Sequence, residues 1–248
     1  MCTEKFIRGV VPGLRLPKLP SGDDLQLKLA DGVLGGAVWP SAIALSNYLS
    51  DHHSSWLRRS NPLAAELGSG TGAVGLFAAA LGARIVLTDV GPLTAAGYGG
   101  TVRLLQLLRE NVHANRALLG ESAEVQVAEV DWAQKAHAAA IRQAHAPDGF
   151  DLVLASDVIY QSSAHAPLAN TISRLLCPAG GVAFVAHEPR MFAGAQLVHP
   201  GASDVQFISF QHAAHEAGLH FEEVMETRVE GVAGKRHTVR IVRLRKEA

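Results

Sequence analysis

Three groups of residues carry chemistry at spacings that point to one ligand. Glu66-Leu67-Gly68-Ser69-Gly70-Thr71-Gly72 sets an acid and three alternating glycines between the apolar run Leu63-Ala64-Ala65 and an alanine-rich stretch. Glycines at a strand-to-helix turn admit positive φ and let the backbone, with the free N–H groups of the next helix, come close to a ligand. A second apolar run, Arg84-Ile85-Val86-Leu87-Thr88, ends in Asp89, where an acid can hold both hydroxyls of a ribose. Together these features describe a βαβ unit for a nucleoside-containing cofactor. The third group follows the run Phe150 to Ser156, which ends in Asp157-Val158-Ile159-Tyr160, a D-x-x-Y tetrapeptide. In an open α/β sheet the ligand crevice lies beyond the carboxyl ends of the strands, so Asp157 and Tyr160 share a cleft with Gly70 and Asp89. A carboxylate and a phenol placed there can orient an amine.

The glycine turn parses in two frames. Gly70-Thr71-Gly72-Ala73-Val74-Gly75 satisfies the dinucleotide pattern G-x-G-x-x-G, and Glu66-x-Gly68-x-Gly70-x-Gly72 matches the first motif of S-adenosylmethionine (SAM) methyltransferases. The turn lies well inside the chain, after an N-terminal strand and helix, whereas a dinucleotide domain more often begins at its first strand. Position thus favours SAM. An NAD(P)-linked oxidoreductase is the rival, and it lacks an evident Tyr-x-x-x-Lys pair for hydride transfer.

The elements that must position these residues follow from periodicity. Apolar runs predict strands near 63–67, 84–88, 124–130, 151–156, 181–187, 220–227 and 238–244, with helices near 73–81, 102–117, 133–145, 164–176 and 205–217 between them. Five βα steps followed by two strands joined through a turn at Gly231 to Lys235 imply an α/β fold. It is a Rossmann-like, seven-stranded, mostly parallel sheet with an antiparallel C-terminal hairpin. Upstream, residues 1–22, with Pro12, Pro17 and Pro20, read as an irregular, partly mobile leader. Leu25 to Leu29 alternate as a half-buried strand, and Ser41 is placed to cap a helix through Ile43, Leu45, Tyr48 and Leu49. The domain division is a leader and strand over 1–34 and a catalytic domain over 35–248. The glycine-rich stretch Gly91 to Thr101 is read as a local insertion.

Composition narrows the partners. With 248 residues, 48% of them apolar, the chain can bury one sizeable core. Its 22 basic and 23 acidic residues exert no global pull on nucleic acid or an anionic membrane. Cys2 and Cys177 have neither disulfide-framework nor zinc spacing, which suits a reducing compartment. No 18-residue apolar run suggests a membrane span. Twelve histidines invite a metal, yet His52, His53, His212 and His215 lack the spacing and partner carboxylates of a metal helix. His187-Glu188-Pro189-Arg190 reads as a solvated strand end that borders the cleft only as a second choice. The basic tail, Lys235, Arg236, Arg240, Arg243, Arg245 and Lys246, reads as an edge strand whose charge deters aggregation rather than as an RNA grip.

From about Gly35 to about Val185 the motifs, in order, resemble the seven-β-strand protein-lysine methyltransferases of methyltransferase family 16, the methyltransferase-like 21 group. The resemblance rests on Gly36-Ala37-Val38-Trp39-Pro40-Ser41-Ala42, the glycine turn, Leu87-Thr88-Asp89, Arg109-Glu110-Asn111-Val112-x-x-Asn115, Asp131-Trp132 with Ala133 in place of glycine, and Ser156 through Tyr160. It departs from the family at the insertion after Asp89 and in the C-terminal region. The resemblance implies a class I SAM-dependent methyltransferase acting on a lysine side-chain amine of a protein substrate. A histidine or arginine side chain, or a small amine, is the alternative acceptor, and a SAM-binding protein without catalysis is a further reading. By the same resemblance Trp39, Glu66, Gly68, Ser69, Gly70, Gly72, Asp89, Asp131, Trp132 and Ser156 form the cofactor site. Asp157 and Tyr160 form the catalytic pair. Packing of Trp39 and Trp132 in a core, an N-cap role for Asp157 and a packed Tyr160 are the plain alternatives. No metal, nucleic acid or membrane partner is expected, and a cytoplasmic monomer, also admissible in the nucleus, completes the reading.

Overall fold

A computed structural model describes residues 4–8, 10–11, 14–30, 35–90, 104–120, 123–189, 204–231 and 234–247. The chain begins with strands β1 (Glu4–Arg8), β2 (Val10–Val11), β3 (Leu14–Arg15) and β4 (Gln26–Ala30). Helix α1 (Pro40–Tyr48), a π-helical turn (Leu49–His53) and α2 (Ser54–Ser60) lead into the alternating part. That part runs β5 (Leu63–Leu67), α3 (Ala73–Ala80), β6 (Arg84–Asp89), α4 (Leu104–Leu119), β7 (Val125–Glu129), α5 (Lys135–His145) and β8 (Leu152–Ser156). A 3₁₀ turn (Ser162–Ala164), α6 (His165–Leu175), β9 (Val182–His187), α7 (Val205–Glu216), β10 (Leu219–Glu230) and β11 (Arg236–Lys246) complete it.

The main sheet has seven strands in the order β10-β11-β9-β8-β5-β6-β7. Strands β5 to β9 pair in parallel, and β11 pairs antiparallel with both β9 and β10. The chain steps from β5 through β6 to β7, then returns to β8 on the other side of β5. That reversal opens a crevice at the carboxyl ends of β5 and β8, the place where such sheets hold ligands. Both faces of the sheet are covered, which explains the unbroken apolar run of β8. Leu152 and Leu154 join a core with Leu45, Phe77 and Leu108, while Val153 and Ala155 join one with Ile141, Ile172 and Phe210.

Several expectations change at the N-terminus and the tail. The leader is not irregular throughout: β1 pairs antiparallel with β4, and Leu16 and Leu19 are buried in the core. Ser41 does not cap α1. Pro40, whose fixed φ suits the first helical position, starts the helix after Trp39, so Ser41 falls inside it and is fully buried. β11 is not an edge strand, because the chain runs out to β10 at the edge and returns between β10 and β9. Two of its arginines are paired across the hairpin, Arg240 with Glu226 at 3.1 Å and Arg243 with Glu222. The stretch Gly91 to Thr101 lies outside the described residues.

The buried face of α4 contains Leu104, Leu107, Leu108, Asn111 and Asn115, an amphipathic stripe with two amides in it. Those amides complete β4. Asn115 Oδ1 accepts from Gln26 N–H at 2.8 Å and its Nδ2 donates to Gln26 O at 2.6 Å. Asn111 does the same for Lys28, accepting at 2.6 Å and donating at 3.1 Å. Four residues of helix rise about 6 Å and two residues of strand about 6.6 Å, so amides one turn apart meet alternate strand residues. Asn111 Nδ2 also donates to Thr71 O at 2.9 Å, which joins the N-terminal sheet to the glycine turn.

Asn111→Ala therefore removes the bonds to Lys28 N–H, Lys28 O and the buried Thr71 O, and is expected to lower stability by about 2–3 kcal/mol in urea denaturation. Gln106→Ala, which loses only an exposed bond to Glu110, is expected to change it by less than about 0.5 kcal/mol. Equal effects of the two would remove the strand-completing role.

Candidate active site

The glycine turn leaves β5 with Gly68, Gly70 and Gly72 all at positive φ, 67°, 53° and 80°. Two of the three are further required by close approach. A Cβ on Gly68 would meet Val158 Cγ1 at 2.8 Å and the Trp132 ring at 3.2 Å, and one on Gly70 would meet Gly35 O at 2.6 Å. The third differs from expectation: Gly72 caps α3 and packs toward Leu108 and Leu87, shaping the turn without lining the cleft.

Acids hold the turn in place. Asp89 Oδ2 accepts from Gly70 N–H at 2.7 Å, and Oδ1 accepts from Val90 N–H at 2.8 Å. Each oxygen keeps a second lone pair for a hydroxyl donor. Burial raises the Asp89 pKa from its ordinary value in spite of those two bonds. The Ser69 hydroxyl donates to Glu66 O and accepts from Thr88 N–H at 3.0 Å, so Ser69 fastens the ends of β5 and β6 together. Glu66 lies beneath, 1% exposed, and its Oε2 accepts from Gly75 N–H at 3.1 Å. Burial outweighs that bond, pushing the Glu66 carboxyl up to about 8. Gly75, the last glycine of the dinucleotide frame, serves this packing. A Cβ there would sit 2.1 Å from Leu87 Cδ2 and 2.6 Å from Glu66 Oε2.

A cleft of about 280 Å³ opens above the turn. It is lined by Trp39, Glu66, Gly68, Ser69, Gly70, Asp89, Asp131, Trp132, Ser156, Asp157 and Tyr160, every residue expected at the site except Gly72. Asp131 Oδ1 accepts from Ala133 N–H at 2.9 Å, a local turn that aims Trp132 at Gly68. The Trp132 indole N–H is buried with no acceptor among the described residues. Trp39, 37% exposed, stands at the cleft mouth rather than in a core. Opposite, Asp157 follows β8 at φ 59° and donates its N–H to Ala186 O at 2.9 Å. It caps no helix: the next turn starts after Gln161.

His187 corrects another expectation. It is 2% exposed, not a solvated strand end, and its Nε2 lies 2.9 Å from Asp204 Oδ2. Asp204 also caps α7 by accepting from Phe207 N–H. Gly35, Gly75, Thr88 and Asn111 were not among the residues expected at the site. Gly75 stood in the rival glycine frame, Thr88 in the Leu87-Thr88-Asp89 motif and Asn111 in the helix signature, whereas the part played by Gly35 comes from contacts far apart in sequence. Among the described residues no three of His, Cys, Asp and Glu converge as a metal site, and no helix is long and apolar enough to cross a membrane.

The sequence pattern of the lysine methyltransferase family matches residues 22–197, well over half of the chain. The chain belongs to the lysine methyltransferase family. It is 29% identical over 215 residues to the protein N-terminal and lysine N-methyltransferase EFM7 of Yarrowia lipolytica, covering 84% of this chain and 74% of that protein. It is 34% identical over 142 residues to the protein N-lysine methyltransferase METTL21A of Mus musculus, covering 57% of this chain. That match spans only 56% of METTL21A. Among solved structures, the 16S rRNA methyltransferase RsmC of Thermus thermophilus, in complex with AdoMet and guanosine, superposes with a TM-score of 0.59. It covers 98% of this chain and 51% of RsmC at 16% identity, which shows a shared fold. The fold is that of class I SAM-dependent methyltransferases, and RsmC holds AdoMet in it. The site of this chain fits that cofactor: Gly68 and Gly70 present bare backbone to the cleft, Asp89 has lone pairs to spare, and the Trp132 N–H awaits an acceptor.

The buried acid gives a pH signature. The Glu66 pKa rises from 4.5 in the unfolded chain to about 8 in the fold. Between those values the folded state binds more protons at Glu66, so this group's contribution to the stability of the cofactor-free protein falls as pH rises from 4.5 to 8. Asp89 contributes with the same sign. Glu66→Gln is expected to flatten most of that slope in urea denaturation series across the range. A slope unchanged by the substitution would show that Glu66 is ionised in the fold.

Proposed function

We propose that this protein transfers a methyl group from SAM to the side-chain amine of a lysine in a protein substrate. The observation that carries the reading is the placement of Asp157 and Tyr160 across one cleft from the glycine turn and Asp89. Membership of a family described as lysine methyltransferases supports the choice of acceptor. When bound, SAM supplies an electrophilic methyl on a sulfonium cation, so the chain needs no covalent intermediate of its own.

The residues divide the work. Asp89 would hold the ribose through the free lone pairs of its carboxylate, and the bare backbone of Gly68 to Gly70 would admit the methionine portion. Trp132 would lie beside the adenine, and Ser156 would border the cofactor from the β8 side. Trp39 closes the mouth and excludes water. A free lysine has a pKa near 10.4, so presenting it as a neutral amine near pH 7.4 costs about 4 kcal/mol without help. Desolvation beside Trp39 and Tyr160, with a cation opposite, lowers that cost. Asp157 accepts a hydrogen bond from the amine and aligns its lone pair with the methyl. On its own a carboxylate would stabilise the ammonium, so Asp157 orients the acceptor and Tyr160 walls the channel. The reading also has the protein act as a cytoplasmic monomer, with the nucleus a second setting. The spacing of Cys2 and Cys177, which forms no disulfide framework, supports a reducing compartment.

Calorimetry with S-adenosylhomocysteine and NADH tests the cofactor. Only the first is expected to bind, weakened about tenfold or more by Asp89→Ala. Radiolabelled SAM added to cell extract with the protein is expected to deliver label to protein, recovered as methyl-lysine on hydrolysis. Asp157→Ala is expected to bring incorporation down at least about a hundredfold. Label recovered as methyl-histidine or methyl-arginine, or in small molecules, would shift the acceptor, and full activity in Asp157→Ala would remove that residue from the mechanism.

A further inference from the structure

The Asp157 to Tyr160 turn rests on a buried imidazole that does not itself line the cleft. His165 opens α6 immediately after Ala164, which itself lines the cleft, and is 2% exposed. Its Nε2 lies 3.1 Å from Ile159 O, the carbonyl of the peptide that leads into Tyr160. Its Nδ1 lies 3.0 Å from Ser209 Oγ on α7. A carbonyl oxygen has no proton to give, so Nε2 carries the hydrogen and donates it to Ile159 O. Nδ1 of the neutral ring is then an acceptor, and the Ser209 hydroxyl donates to it. Burial holds the imidazole below its ordinary pKa, which keeps that tautomer in the neutral form.

The turn needs such a support. Asp157 sits at φ 59°, a left-handed conformation that a non-glycine residue holds only when its surroundings impose it. One constraint is the bond from Asp157 N–H to Ala186 O at the start of the turn. The bond from His165 to Ile159 O is a second, near its end. Fixing the plane of the Ile159–Tyr160 peptide sets where the Tyr160 side chain leaves the backbone. Ser209 lies on the same helix as Asp204, whose carboxylate caps α7 and meets His187 at the end of β9. The turn is thereby tied to a helix with its own anchor on the sheet.

We propose that His165 is a positioning residue for methyl transfer, holding the Asp157 to Tyr160 turn through Ile159 O and tying it to α7 through Ser209. The inference rests on the reading of Asp157 as the group that orients the acceptor amine. His165 touches neither cofactor nor acceptor in this role.

Sinefungin, a SAM analogue in which an amine-bearing carbon replaces the sulfonium and its methyl, puts an amine where the acceptor end of the cleft begins. The ratio of its affinity to that of S-adenosylhomocysteine, measured by calorimetry, reads the interaction of that amine with the Asp157 turn. His165→Leu is expected to lower sinefungin affinity about tenfold while S-adenosylhomocysteine affinity holds, because a charge-assisted hydrogen bond depends on geometry. His165→Gln, which restores a donor near the Nε2 position, is expected to recover most of the ratio. Ser209→Ala removes only a hydroxyl and is expected to lower the ratio about two- to threefold, which keeps the test open should His165→Leu fail to fold. Asp157→Asn separates the two ideas. A ratio that falls in Asp157→Asn but keeps its wild-type value in the His165 and Ser209 variants overturns the positioning role alone. A ratio unmoved in all of them overturns the reading of Asp157 and this inference with it. Parallel loss of both ligands in His165→Leu, without recovery in His165→Gln, would make the histidine merely structural.

Discussion

The carboxylate of Asp89 bonded to Gly70 N–H at 2.7 Å is the constraint on which the site depends. It ties the end of β6 to the turn that leaves β5, and the two bonds between Ser69 and Thr88 repeat the tie one residue earlier. The turn is held in an unusual conformation before any ligand arrives, so little ordering remains to be done on binding. The same carboxylate lines the cleft and retains lone pairs for a hydroxyl donor there.

Around that turn the fold accepts polar burial that most cores avoid. Glu66 sits under the cleft with a carboxyl raised to about 8, and Gly75 is glycine because any side chain would strike Leu87 and that acid. Asn111 and Asn115 lie in the apolar stripe of α4 yet leave no amide wasted, since each replaces a neighbouring strand for β4. Through Asn111 and Thr71 the N-terminal sheet is bonded to the glycine turn, and Gly35 crosses Gly70 at close range. The segment before residue 35 is accordingly bonded through α4 to the glycine turn, although none of its described residues lines the cleft.

The opposite half of the crevice is organised by α7. Asp204 and Ser209, five residues apart, each engage a buried histidine, His187 at the end of β9 and His165 behind the D-x-x-Y turn. On the C-terminal hairpin Arg240 and Arg243 face glutamates of β10. The hairpin lies beside β9 because β11 returns inward, a placement that strand periodicity does not encode.

By itself the sequence determined the alternating elements, the parallel class of the sheet and the identity of the cleft-lining motifs. Apolar periodicity reports which face of each segment is buried, and residue type reports where positive φ or a carboxylate is needed. Segments such as Leu63 to Leu67 and Leu152 to Ser156 were legible for that reason. Only the tertiary structure decided that β11 is interior, that the leader pairs with β4, that Pro40 displaces Ser41 from the helix cap, and that Gly72 shapes the turn without lining the cleft. It also decided the partners of His165, His187 and Asn111. Each of these depends on which distant backbone groups are left unpaired once the strands are ordered, and a local pattern of residue types carries no record of that order.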